Sequence, residues 1–192
     1  TFDQDRITGS TFLNYKITDN FSVNGKLMLD HYSQRETLRN EKGSNENIDG
    51  YYAEIGRRYS EINAETILSY SKSITDDFSL TLNAGMNSMK RISTRQLGEL
   101  EGGLELPGLF TLSNVKSGTT PNIDSDYTEQ RINSVLGFGQ LSYKNYAFLD
   151  FSGRNDWASV LPTKNNSFFY PAVSGSLVLS DIFGLTSSKV NY

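Results

Sequence analysis

Two-sided strands joined alternately by very short polar turns and by long polar loops set the rhythm of this chain, and few folds accommodate it. Asp19-Asn20, Thr75-Asp76-Asp77 and Lys144-Asn145 are the short links, and residues 31–59, 91–127 and 157–166 read as the long ones. A sheet with all its tight turns at one end and its long loops at the other is the sequence pattern of an outer-membrane β-barrel. The expectation is an all-β fold, an antiparallel transmembrane sheet.

Side chains alternate faces along a strand, so residue parity separates a wet face from an apolar one. Over 6–18, Ile7, Gly9, Leu13, Tyr15 and Ile17 oppose Arg6, Thr8, Ser10, Asn14, Lys16 and Thr18. Over 21–32, Phe21, Val23, Gly25, Leu27 and Leu29 oppose Ser22, Asn24, Lys26 and Asp30. The third strand, 60–74, sets Ile62, Ala64, Leu68, Tyr70 and Ile74 against Glu61, Asn63, Glu65, Ser69 and Ser71. The fourth, from Phe78, sets Leu80, Leu82, Ala84 and Met86 against Ser79, Thr81, Asn83 and Asn87. The fifth, 130–143, is less regular, because Ile132, Leu136 and Phe138 share the face opposite Val135, Gly137, Gly139, Leu141 and Tyr143. Strands at 146–157 and 167–180 follow, and an eighth begins near Ser188. Phe21, Phe78, Tyr143 and Tyr146 sit beside the short turns, where an interfacial aromatic girdle belongs.

Composition agrees. Only 36% of the 192 residues are hydrophobic, and the mean hydropathy is −0.46. No stretch approaches the roughly 20 consecutive apolar residues of a transmembrane helix, but a barrel strand needs apolar residues on one face only. The polar parity carries Lys26, Asp30, Glu61, Glu65, Asp150 and Arg154, which in a barrel face the lumen. Leu27, Leu68, Leu82, Leu149 and Leu177 are expected to face outward. An open sheet edge has no hydrogen-bond partners in lipid, and single-chain bacterial barrels close with an even number of strands, about eight or more. Seven clear strands and a stub therefore read as a section of a larger barrel wall.

Several chemistries are excluded on inventory. There is no Cys, so there is no disulfide scaffold, thiolate metal site or Cys nucleophile. His31 is the only histidine, which removes His-paired nucleophiles and multi-His metal sites. Gly137-x-Gly139 lies inside a strand and opens no helix, so it is no phosphate loop. Asp3-x-Asp5 and Asp124-x-Asp126 lack the spacing of a calcium loop and read as solvated acids. A net charge of −4 carries no nucleic-acid footprint. No catalytic, cofactor or metal residue is expected. Tyr51 and Tyr52 in the first long loop, and Trp157 near the outer rim, are weak candidates for cargo or lid contact. Trp157 equally suits an anchor at the lipid headgroups.

Residues 132–183, INSVLGFGQLSYKNYAFLDFSGRNDWASVLPTKNNSFFYPAVSGSLVLSDIF, resemble the SusC/RagA family of TonB-linked outer-membrane transporters. Gly137-Phe138-Gly139 with Ser142-Tyr143-Lys144, Arg154-Asn155-Asp156-Trp157, and Phe169-Tyr170-Pro171 with Val173-Ser174 and Ser180 carry the likeness. Tyr59-Ser60-Glu61-Ile62-Asn63-Ala64 adds to it. The resemblance implies a barrel of about 22 strands, of which residues 1–192 form part, in the bacterial outer membrane. It implies a plug domain and a TonB-contacting segment outside these residues. It further implies import of a nutrient such as an oligosaccharide or peptide, with a SusD-like surface lipoprotein as lid. A structural or adhesive outer-membrane barrel, or a soluble all-β binding module, is the alternative reading.

Overall fold

The computed structural model describes residues 1–182. Seven strands follow in chain order: β1 (Phe2–Lys16), β2 (Phe21–Asn40), β3 (Tyr51–Ser73), β4 (Phe78–Glu99), β5 (Asn122–Tyr143), β6 (Ala147–Ala158) and β7 (Ser167–Leu177). They form one antiparallel sheet in sequence order, each strand bonded to the next. A 3₁₀ turn (Thr163–Asn165) precedes β7, and a short helix α1 (Leu179–Ile182) follows it. The expected eighth strand near Ser188 lies outside the described residues.

The strands are longer than their sequence periodicity suggests. Residues 31–40, 51–59, 91–99 and 122–127 were expected to be loop and are strand. Polar and apolar residues mix on both of their faces, so the alternation that marks a half-buried strand is lost. Ladder hydrogen bonds persist because they depend on the backbone alone. The first strand likewise starts at Phe2 and not near Arg6, while the last stops at Leu177, with Leu179 and Ser180 in α1.

The described residues pack as two compact units. One comprises Thr1–Gly9, Met28–Ile62 and Lys90–Gln130; the other comprises Ser10–Leu27, Asn63–Met89 and the described residues from Arg131 onward. All three short turns belong to the second unit. Two of them repeat a sequence, Ile17-Thr18-Asp19-Asn20-Phe21-Ser22 and Ile74-Thr75-Asp76-Asp77-Phe78-Ser79. In each, the threonine hydroxyl accepts from the backbone N–H of the following phenylalanine at 3.1 Å, which closes the turn from inside. The third is a type I′ turn. Lys144 and Asn145 both have positive φ, 48° and 59°, and the Tyr146 N–H donates to the Tyr143 carbonyl at 3.2 Å.

Glycine at 139 is required by a close approach. A Cβ there would stand 2.7 Å from the Thr81 carbonyl oxygen, 2.7 Å from the tip of the Phe151 ring and 2.9 Å from Leu82. Phe151 lies directly opposite Gly139 in the β5–β6 register, so its ring fills the space the glycine leaves. Gly137, one step along the same face, would bring a Cβ no nearer than 3.7 Å to any atom. Gly139→Val is expected to destabilise by about 1–3 kcal/mol through overpacking. Gly137→Val should cost far less, as read by the fraction of the full-length protein that resists thermal unfolding in detergent. Equal costs at the two positions would contradict the packing described.

Candidate functional site

On four strands the apolar residues form a band of the same length. From the residue beside each short turn, same-face positions stay apolar or small over nine residues: Phe21 to Leu29, Tyr70 to Ile62, Phe78 to Met86, and Tyr143 to Val135. Thr66 is the single polar member. A tilted strand needs roughly 9–11 residues to cross a bilayer. This face has no protein cover: Leu27, Leu68, Leu82, Leu149 and Leu177 are 38–62% exposed. At its turn-proximal edge the rings gather, as expected of a girdle. Phe21 and Tyr70 lie 4.6 Å apart, Phe78 and Tyr143 lie 4.7 Å apart, and Tyr146 meets Tyr143 edge-on at 5.5 Å. Asymmetric aromatic pairs of this kind add stability beyond the area they bury.

The opposite face is polar in each unit. In the first unit, Arg6 grips Asp30 with two parallel bonds of 2.9 and 2.8 Å, a bidentate guanidinium–carboxylate pair. Glu61 accepts from the Tyr59 hydroxyl at 2.6 Å and from Arg91 at 2.9 Å. The Arg91 guanidinium lies 5.7 Å from the Tyr59 ring centre, and Tyr59 stacks on Tyr32 at 5.1 Å. Arg57 pairs with Glu36 at 2.9 Å. In the second unit, Gln140 donates to Asp150 at 2.7 Å, and Arg154 donates to Asp156 at 2.7 Å and to Ser134 at 2.8 Å. Asn87 donates to Asn63 at 2.7 Å. Lys26 and Glu65 share the parity of these groups on β2 and β3. Asp30, Glu61, Asp150 and Arg154 are thus held by partners, and Arg91, Tyr59 and Arg57 join them from stretches the sequence had suggested were loops. Asp124 and Asp126 are taken up by Arg95, at 3.2 and 3.6 Å.

The longest connection, residues 100–121, folds around its own core. Leu100 and Leu104 are fully buried with Tyr52, and Phe110, Leu112 and Val115 pack against them. Leu104 bridges Val115, its N–H donates to the Asp49 carbonyl at 2.8 Å, and Lys116 pairs with the Asp49 carboxylate at 2.8 Å. The side chain of Asn114 closes the tip. Its oxygen accepts from the Leu106 N–H, and its nitrogen donates to the carbonyls of Leu106 and Leu109 at 2.8 and 2.6 Å. Tyr52 therefore lies inside this core, 6% exposed, its hydroxyl donating to Glu54 at 2.7 Å. Tyr51 is half-buried and donates to Glu99 at 2.8 Å.

Burial, reinforced by hydrogen bonds to Glu99 and Glu54 and by their negative charge, pushes the Tyr51 and Tyr52 hydroxyls up to about 12. An unperturbed tyrosine ionises near pH 10. Each raised pKa lies on the side that favours the neutral phenol in the folded state. Its contribution is complete below pH about 10 and is lost as pH rises to about 12. Amide exchange in 100–121 should therefore accelerate over that alkaline window, and the Tyr51→Phe variant should show a smaller acceleration.

Trp157 stands on the apolar parity of β6, opposite Asn133 in register, in line with Leu149 and Phe151. It borders a cavity of about 380 Å³ with Met86, Val135 and Thr66, so it is on the other face from Arg154 and Asp156.

No protein-family model and no curated protein matches the sequence. Solved structures match it well. The RagAB peptide transporter aligns at a TM-score of 0.85 with 18% identity, over 97% of this chain and 21% of that chain. The RagAB peptide importer in its closed-closed and open-open states aligns at 0.87 and 0.86, with the same identity and coverage. The chain spans about a fifth of the length of the structures it matches. In fold, then, the seven-stranded antiparallel sheet is similar to a portion of the RagAB transporter structures.

Proposed function

We propose that this chain is part of the barrel wall of a SusC/RagA-type, TonB-dependent importer in the bacterial outer membrane. The nine-residue apolar band, within a fold shared with RagAB over 97% of the chain, carries this reading. The band faces lipid. The polar face, with Lys26, Asp30, Glu61, Glu65, Asp150 and Arg154, faces the lumen, where its paired charges solvate the wall beside a plug. The loop of 100–121 belongs to the external side, where a SusD-like lipoprotein lid and a peptide or oligosaccharide cargo would meet it. Tyr51 remains the candidate for such contacts, since the Tyr52 ring is occupied in the loop core. Trp157, on the apolar face, suits a headgroup anchor. TonB would act through the N-terminal part of the full-length protein.

Single cysteines test the faces, since residues 1–192 contain none. In full-length protein in membranes, Cys at Leu27, Leu82 and Leu149 should resist a water-soluble maleimide, and Cys at Ser22 and Asn83 should react. Labelling of the leucine positions from water would overturn the membrane reading. Transport is tested in cells lacking the protein. Uptake of fluorescent peptides or oligosaccharides should fall, and should fall equally in wild-type cells when the proton gradient is collapsed. Unchanged uptake of both cargo classes would favour a structural or adhesive barrel.

A further inference from the structure

Beyond Leu29 on β2 and Ile62 on β3 the same strand faces turn basic. On β2 the parity of Leu27 and Leu29 continues through His31 and Ser33 to Arg35 and Arg39. On β3 the parity of Leu68 and Ile62 continues through Ser60 to Arg58. Arg39 is engaged over the Phe110 ring at 5.6 Å. Arg35 and Arg58 differ: both are exposed, and neither has an ion-pair partner among the described residues. They line one cavity of about 370 Å³ with Ser33, Gly56, Thr94 and Gln96, within the about 300–1,000 Å³ typical of ligand sites. Most of the other arginines nearby are matched, Arg57 with Glu36, Arg91 with Glu61 and Arg95 with Asp124. Two unmatched guanidinium groups beside hydroxyl and amide side chains make a site for a phosphate monoester, which guanidinium binds through paired N–H donors. Gly56 leaves the cavity open, because a Cβ there would meet nothing within 4 Å.

We infer that Arg35 and Arg58 bind the phosphate of a phosphorylated glycolipid headgroup in the outer leaflet, with its acyl chains starting at Leu29 and Ile62 on the same strand faces. The inference rests on the membrane reading proposed above. The occupant is a lipid and not free phosphate because Arg35 stands three same-face positions beyond Leu29 on β2 and Arg58 two beyond Ile62 on β3. One molecule satisfies both the two arginines and these apolar residues. Basic clusters at a membrane boundary recognise anionic lipid heads on the same grounds.

The test uses full-length protein in nanodiscs containing either bisphosphorylated lipid A or its dephosphorylated form, with bound lipid counted by native mass spectrometry. Wild-type protein should retain the phosphorylated lipid. The Arg35→Gln/Arg58→Gln variant should retain it about tenfold less well or weaker still. Gly56→Leu, which puts a side chain into the cavity that both arginines line, should do the same, and Lys164→Gln should bind as wild type. Inorganic phosphate at millimolar concentration should not displace the lipid. Undiminished lipid retention in the double variant, or no preference for the phosphorylated form, overturns the inference while leaving the membrane reading intact. Failure of wild-type protein to enter the nanodiscs overturns both.

Discussion

Leu104→Ala is expected to destabilise the closed form of the 100–121 loop by about 2–5 kcal/mol, the range for truncating a fully buried leucine that leaves a cavity. Leu104 is 0% exposed, and its side chain presses on Gly50, where even a Cβ would come within 2.9 Å of it. Its backbone is the node of the loop, joined to Asp49 through its N–H and bridged to Val115. Loss of its side chain removes the neighbour of both Leu100 and Tyr52. The effect should be local. Amide exchange at Leu104 and Lys116 should rise together, and protease should cut between 105 and 118, with the strands still protected. The ordered loop would have to rest on something other than this core if exchange stayed within a factor of two of wild type.

Leu82→Arg is expected to cost about 2–4 kcal/mol of folding free energy in a bilayer, the range for a cation at the midplane of a barrel's lipid face. Leu82 is the middle member of the Phe78–Met86 band and is 38% exposed. The cost should depend on depth. Arginine at Met86, at the edge of the band, should cost about 0–1 kcal/mol. Arginine at Asn83, one residue on and facing the other way, should also be tolerated, because that face is already polar. Reversible unfolding of the full-length protein in lipid vesicles measures all three. Equal costs at 82 and 83 would contradict the face assignment, and a flat profile from 82 to 86 would contradict the bilayer depth.

Much of this was legible before any coordinates. The period-two alternation separated Phe21, Leu27 and Leu82 from Lys26, Asp30 and Glu61, because a chain with one dry and one wet face must alternate. The short turns were legible because Asp19-Asn20 and Lys144-Asn145 are residue types that tolerate tight or left-handed turns. The repeat around Thr18 and Thr75 was there to be read as well, and marks two turns built alike.

Other features were decided only in three dimensions. Residues 31–40 and 91–99 carry no alternation, so their strand character depends on hydrogen bonds to neighbouring strands that sequence does not display. Leu100, Leu104 and Leu112 are scattered among Gly102, Gly103, Pro107 and Gly108, and nothing local distinguishes a polar loop with stray leucines from a folded one. Tyr52 sits in the core of that loop because Asp49 and Gly50 bring Leu104 to it. Arg35 and Arg58 are 23 positions apart in the chain, and only strand pairing places them at one cavity. The sequence by itself determined which way side chains face on the stretches that alternate, since that follows from backbone geometry one residue at a time. Which distant side chains meet was left to the tertiary structure, since register and loop closure are properties of the whole sheet.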